Sequence, residues 1–437
     1  MSKNKEYANF NLFNNIYVIY FLFLLSICAT SIAFTYLLLE KHSYLVDNNY
    51  DIILKNIPFN WGPLAHNINE SLSFHSVIFD TNHYLRKFPL NAVLIVLIFN
   101  FSKNIYLFLL FKNIISSTII FYVVNIFLKF ENKKNFLWFI ILLSCFFINP
   151  YNTSIIFNFV YVDHITAFLL PITYLFLISS IKNKDFYVGI CLFILYFTKP
   201  SMFFVCLILP IFIVFYENKN NKQKYYPLVF SVLAIITWGF YGQYKTGTFP
   251  FGTKLLSNNS YDFSHVANKD FLNYYPDKSV DDIVKSPSKK NYENYKNIQN
   301  EWDFFYYFDE KNKRFLKEHF DLYIKGIYIK LKFIFFRIKY DGLGKNEFNE
   351  RKNEINYSNI INKINLNLAI LFCLFGLILN KKKFFIQKHS FYYMIILTLN
   401  LMPHIYAWGT NKHLVGIYVM SNIFLVYHLT LFNKKTI

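Results

Sequence analysis

The sequence predicts an all-α polytopic membrane protein with about ten transmembrane helices, and three observations carry that expectation. Of the 437 residues, 54% are hydrophobic and only 16% are charged, where soluble domains run at roughly 25% charged. The apolar residues come in blocks approaching membrane-spanning length rather than in one-sided stripes. Lysines concentrate in alternate connectors between those blocks, as the positive-inside rule requires of cytoplasmic loops.

The first block, "NIYVIYFLFLLSICATSIAFTYLLLE", has no charge before Glu40 and suffices for a hydrocarbon core about 30 Å thick. It is too long for a signal-peptide core and lacks a small-residue cleavage site, so it reads as a retained helix. Breaks at charge clusters then place spans at 15–39, 105–129, 136–149, 163–181, 186–198, 201–216, 226–244, 363–380, 391–408 and 413–431. Segments 136–149, 186–198 and 201–216 are short, and the last two flank "FTKPS", where a re-entrant hairpin could replace two full crossings.

The connectors "MSKNKEY", "KFENKKN", "SIKNKDF", "ENKNNKQKYY", "NKKKFFIQK" and "NKKTI" all fall on one side. Both termini are therefore expected in the cytoplasm and the protein in the bacterial inner membrane, with residues 40–104 and 245–362 outside. This divides the chain into a membrane module, 1–244, with its first external loop at 40–104, an external segment at 245–362, and C-terminal membrane helices at 363–437. The first loop closes with "PLNAVLIVLIFNF", too short to span and suited to the interface. Segment 245–362 is too long for a simple loop. Its run "DFFYYFDEKNKRFLKEHFDLYIKGIYIKLKFIFFRIKY" reads as helix, the second half mixing lysines with apolar residues as interfacial helices do.

A net charge of +19 would suggest nucleic acid in a soluble protein. Here the lysines report topology, and the expected partners are membrane lipids, with no nucleic acid. The five cysteines lie in apolar segments without CxxC or Cys/His spacing, which disfavours disulfides and zinc. There is no GxxxxGK[ST], GxSxG or HExxH, and no repeat of 20–50 residues.

The groups able to do chemistry fall on the external face. Asp47, Asp51, His66, His75, Asp80, His83 and Arg86 belong to the first loop, Asp163 and His164 open the fourth span, and Lys412 and His413 lie between the last two. A carboxylate at such a boundary can take a proton from a hydroxyl, and nearby cations can neutralise a leaving phosphate. Asp47 and Asp51 are weighed against solvated loop acids, and Asp163 against a rim charge. The three loop histidines lack metal-ligand spacing and read as structural. Arg86 is one of only four arginines and precedes an interfacial run, where it can snorkel or grip phosphate. Lys199 in "FTKPS" can reach a phosphate or simply snorkel.

This arrangement resembles the GT-C fold of lipid-phosphosugar-dependent membrane glycosyltransferases, in the branch of protein mannosyltransferases and lipid A aminoarabinose transferases. The residues that carry the likeness are "DNNYDIILKN" after the first span, with Asp47 and Tyr50; "RKFPLN", with Arg86 and Pro89; and Asp163 in "YVDHITAFLLPI". They continue with Thr198 to Ser201 in "TKPS", "KTGTFPFGTKLLSNN" after the seventh span, and "NKHLVGIYV" near the last. The pattern departs where Asn48 replaces one acid of the usual pair and Lys412 stands in place of arginine. The resemblance implies a GT-C-like fold and transfer of a sugar from a polyprenyl-phosphate donor to a lipid, glycan or protein acceptor, with inversion. Asp47 would be the base, with Asp51 as runner-up and Asp163 in support. Arg86, Lys199, Lys412 and His413 would face the donor phosphate, and Tyr50 and His164 the same cavity. No cofactor is required; some members use a divalent metal, for which this sequence offers no acidic cluster.

Two other readings remain open from the residues alone. A transporter or flippase would suit ten spans, though mid-span charge is sparse and the halves do not repeat. A glycan polymerase or ligase would also use lipid-linked sugars and a large external loop, and the early acidic loop is what separates it.

Overall fold

The computed structural model describes residues 61–78, 81–85, 87–102, 163–217, 221–252, 300–318, 320–336, 352–379, 384–406 and 414–432, with isolated helical positions between 17 and 29 and between 107 and 125. The span expected at 136–149 lies outside the described residues, as does most of those at 15–39 and 105–129. Of the described residues, 87% are helical.

Residues 61–102 fold as α1 (Trp61–Ser71), a hairpin of β1 (Ser76–Ile78) and β2 (Thr81–His83), and α2 (Leu90–Ser102). The strands are antiparallel, with Ser76 opposite His83 and Ile78 opposite Thr81. The all-α expectation is corrected here: Val77, Ile78 and Thr81 are β-branched and suit a pleated ribbon. At 13 residues α2 is about 20 Å long, short of the membrane core, as expected. It buries Ala92, Ile95 and Val96, and packs on α1, which buries Leu64, Ala65 and Ile68.

Four helices follow: α3 (Asp163–Ile178), α4 (Lys184–Tyr196), α5 (Phe203–Tyr216) and α6 (Tyr226–Thr246). Their bounds lie within three residues of the expected spans. Helices α4 and α5, with 13 and 14 residues, reach only about 20 Å each. The turn between them is set by its own sequence. The Thr198 hydroxyl donates to the Leu195 carbonyl at 2.6 Å, Lys199 is extended as a residue before proline must be, and Pro200 opens one 3₁₀ turn, Pro200–Met202.

Helices α7 (Glu301–Glu318) and α8 (Phe320–Phe336) cover the predicted helical run, and α9 (Lys352–Leu379), α10 (Phe384–Tyr406) and α11 (Val415–Phe432) complete the chain. Helix α9 starts earlier than the expected span because its first turns, "KNEINYS", are polar and extend beyond the apolar stretch. Among the described residues, two helical stretches, Lys222–Thr246 and Ile360–Ile378, are long and apolar enough to cross a membrane, and His164–Ile178, Pro200–Tyr216 and Val415–His428 are shorter apolar helices.

Helices α3 to α6 pack as one group and α9 to α11 as another, joined where α3 meets α11 and α5 meets α10. Small residues allow the close approaches, as in membrane helix pairs. A Cβ at Gly416 of α11 would lie 2.8 Å from the Thr166 carbonyl of α3. Polar side chains tie the second group together: Asn365 donates to Asn422 at 2.8 Å, and the Tyr393 and Ser421 hydroxyls share a hydrogen bond at 2.8 Å. The C-terminus of α8 finds its caps on α9, one helical turn apart. Lys363 donates to the Ile334 carbonyl and Asn367 to that of Phe335 at 3.2 Å, which satisfies carbonyls that a helix end cannot pair internally.

Candidate functional site

The Thr246 end of α6 is where the hairpin and the start of α7 meet. Gly247, at φ 74°, stops the helix in the left-handed conformation and donates its N–H to the Gln243 carbonyl at 2.9 Å. The chain then folds back along α6. Pro250 lies where a Cβ on Gly242 would come within 2.3 Å of its ring. The Trp238 indole donates to the Gly252 carbonyl at 3.1 Å and the Tyr196 hydroxyl to that of Phe251 at 2.8 Å. Residues 87–89, "KFP", are seated on the same surface. Phe88 is 1% exposed, with its ring centroid 5.0 Å from those of both Tyr196 and Trp238. The Tyr241 hydroxyl donates to the Phe74 carbonyl at 3.1 Å.

Helix α7 enters this corner with a reciprocal cap. The Asn300 side-chain oxygen accepts from the N–H groups of Trp302 and Asp303 at 2.8 and 3.0 Å, and Asp303 accepts from the Asn300 N–H at 3.3 Å. Glu301, only 2% exposed, accepts from the Leu85 N–H at 3.2 Å. This one contact pins α7 to the residue before Arg86, and a buried carboxylate needs such partners.

Between these elements lies an open cavity of about 400 Å³, walled by Asn82 and Tyr84 of the hairpin side, Lys245, Thr246 and Thr248 of the α6 exit, and Asn300 to Asp303 with Tyr306 of α7. The Lys245 ammonium sits 5.8 Å from the centre of the Tyr84 ring and 5.0 Å from that of Tyr244. Trp302 and Tyr306, one turn apart on α7, have ring centroids 6.3 Å apart. The walls therefore combine three aromatic rings with short donors and acceptors, two carboxylates and one ammonium.

Of the sequence-predicted site residues, Asp47, Tyr50, Asp51, Arg86, Lys412 and His413 lie outside the described residues, as does Asp80. Asp163 is the first residue of α3, followed by His164, which is buried. Lys199 is buried in the turn before α5, beside α10. None of these three lines the cavity. The loop histidines have local roles: His75 bonds the Ser73 hydroxyl at 2.9 Å and its ring lies against Tyr84, and His83 is buried. The wall residues Glu301, Trp302, Tyr306 and Lys245 went unremarked in the sequence. The α7 residues have one local signal, "NEWDFFYY", where acids alternate with large aromatics at a helix start, and Lys245 opens the "KTGTF" stretch.

A second polar cluster lies at the opposite end of α6. Glu217 takes the ammonium groups of Lys184 and Lys388 on one oxygen at 2.9 and 2.8 Å, with the Tyr392 hydroxyl at 3.0 Å. Asn221 donates to Asp185 at 2.8 Å. Burial pushes the Glu217 carboxyl up, but the hydrogen bonds and charges of Lys388 and Lys184 outweigh it and hold it below the ordinary value. Burial and the like charge of Lys184 hold the Lys388 ammonium below its usual range, because the two lysines must share one carboxylate. Burial raises Asp185, against the pull of Lys184 and Asn221. These charges answer one another across α4, α5 and α10.

No group of three or more metal-ligating side chains occurs among the described residues. Compared with known proteins, the chain matches no family model, no curated protein and no solved structure.

Proposed function

We propose that the chain is a multi-pass membrane glycosyltransferase with a GT-C-like fold, moving a sugar from a polyprenyl-phosphate donor to an acceptor hydroxyl on the external face. The observation that carries this reading is the cavity. It forms where residues 82–85, the "KTGTF" exit of α6 and the start of the external helix α7 converge, and the second of these is a sequence element of the resemblance. Helix α6, with 21 residues, is about 31 Å long, so its two ends match the two faces of a bilayer core about 30 Å thick. The lysine-rich connector 217–225 lies at one end and the cavity at the other.

In this reading an acceptor hydroxyl attacks the anomeric carbon from the side opposite the phosphate. The new carbon–oxygen bond forms as the bond to the lipid phosphate breaks, and the hydroxyl proton passes to a carboxylate, Asp47 first and Asp51 second, with Asp163 in support. Arg86, Lys199, Lys412 and His413 take up the charge on the departing phosphate, where cationic stabilisation outweighs general acid catalysis. The test is sugar transfer in membranes from a panel of polyprenyl-phosphate sugars, comparing the wild-type chain with Asp47→Asn and Asp51→Asn. Transfer from at least one donor, reduced 100-fold or more in one variant, supports the proposal. No transfer from any donor, or full activity in both variants, contradicts it.

A further inference from the structure

The cavity walls carry a chemistry more specific than a general polar surface, and each component narrows the ligand. Trp302 and Tyr306 line the cavity from consecutive turns of α7, Tyr306 56% exposed and Trp302 half-buried against the core. Aromatic faces left open to water beside polar groups are poor packing and good platforms for the C–H face of a ring-shaped ligand. Around them, Asn82 and Thr248 supply side chains that both donate and accept, and Thr246, whose hydroxyl donates to the Gly242 carbonyl at 2.8 Å, can still accept, the complement of vicinal hydroxyls. The cavity, at about 400 Å³, is within the range of small-molecule sites, roughly 300–1,000 Å³.

The charges exclude the main competitors. One ammonium, Lys245, stands against two carboxylates, Glu301 and Asp303, which disfavours a phosphate. Each carboxylate accepts a backbone N–H on one oxygen, from Leu85 and Asn300, and among the described residues no third metal-ligating side chain joins them. An organic cation would seek the aromatic faces, but Lys245 already occupies the Tyr84 side. A lipid tail would find hydrogen-bonding groups on every wall.

We propose that this cavity is a saccharide-binding subsite, stacking a neutral sugar ring on Trp302 and Tyr306 and bonding its hydroxyls through Asn82, Thr246 and Thr248. It deepens the transferase reading and rests on it only for its role, as the place where a glycan acceptor is held. The residues involved are distinct from the proposed donor-phosphate and base positions.

The test is equilibrium binding to the full chain in nanodiscs, read by isothermal titration calorimetry, with maltotriose, mannotriose and chitotriose as probes and choline as the cationic control. At least one trisaccharide should bind saturably. Affinity should fall about tenfold in Trp302→Ala, be retained within a few-fold in Trp302→Phe, fall less in Tyr306→Ala and Asn82→Ala, and stay unchanged in Lys313→Ala, which lies outside the cavity. An unchanged thermal transition in Trp302→Phe shows that the position tolerates substitution. No saturable binding by any trisaccharide, equal binding by wild type and Trp302→Ala, or preference for choline would overturn the proposal. Saccharide binding without sugar transfer would sink the transferase reading alone, and transfer with no binding at Trp302 would sink this one alone.

Discussion

The two ends of α6 carry similar side chains and resolve them in opposite ways. At the Tyr226 end, Glu217, Lys184, Lys388 and Tyr392 converge on one carboxylate oxygen, and the charged side chains are only 12–14% exposed. At the Thr246 end, Glu301 and Asp303 are spent on backbone N–H groups, and the lysine, amides, threonines and aromatic rings beside them face an open cavity. The first arrangement fastens three helices; the second leaves capacity for a ligand. Charge content alone does not mark a site, and what separates the two clusters is whether their polar groups are satisfied by each other.

The largest expected effect comes from breaking the fastened end. Glu217→Ala leaves Lys184 and Lys388 close together with no shared counter-charge, which should cost about 3 kcal/mol in a thermal unfolding experiment in detergent, with no change in trisaccharide affinity. A stability loss accompanied by an equal loss of saccharide binding would break the distinction between the ends. The same group sets a pH limb. The folded Glu217 carboxyl lies below its unfolded value, so its contribution is fully present above the unfolded carboxylate pKa and disappears as pH falls through the folded one. Glu217→Gln should flatten that acid limb, and an unaltered limb would assign it to other carboxylates.

A smaller effect is expected at the cavity end. In Gly242→Ala the new methyl meets the Pro250 ring at 2.3 Å with Leu85 behind it at 3.3 Å. Neither neighbour can move without displacing the folded-back strap or the adjoining "KFP" residues. Overpacking costs about 1–3 kcal/mol, offset in part by the roughly 1 kcal/mol helix preference of alanine over glycine. Trisaccharide affinity should fall together with stability, the reverse of the Glu217 result. The smallest effect is at the Lys313–Asp309 pair on α7, 2.6 Å apart with the lysine side chain 73% exposed. Lys313→Ala should leave the melting transition and the binding curve superimposable on wild type, since exposed pairs of this kind contribute little.

Much of the helical frame was legible in the sequence because apolar runs bounded by lysine clusters report helix ends directly. The bounds of α3, α5 and α6 follow from that pattern, and "FTKPS" announces its own turn through Thr198, Lys199 and Pro200. The hairpin at Ser76–His83 was not legible, since three-residue strands leave no periodic signature. The cavity was not legible either. Its walls come from residues 82–84, 245–248 and 300–306, which only the third dimension joins, and the contact that closes it, Glu301 to the Leu85 N–H, spans 216 positions. The sequence directed attention to Arg86 and to acids at span boundaries, whereas the cavity draws tyrosine, threonine and asparagine side chains, with Trp302 and the acids at the start of α7, from three separate stretches.

The central claim, that α6 crosses the membrane with the cavity outside and the ionic cluster inside, is tested most directly by sided thiol labelling. Thr248→Cys and Lys222→Cys place a thiol at exposed positions at the two ends of α6, against a background of native cysteines in apolar segments. With a membrane-impermeant maleimide on intact cells, Thr248→Cys should label above wild type at once, and Lys222→Cys only after permeabilisation. Labelling of Lys222→Cys on intact cells, with Thr248→Cys protected, would contradict the account.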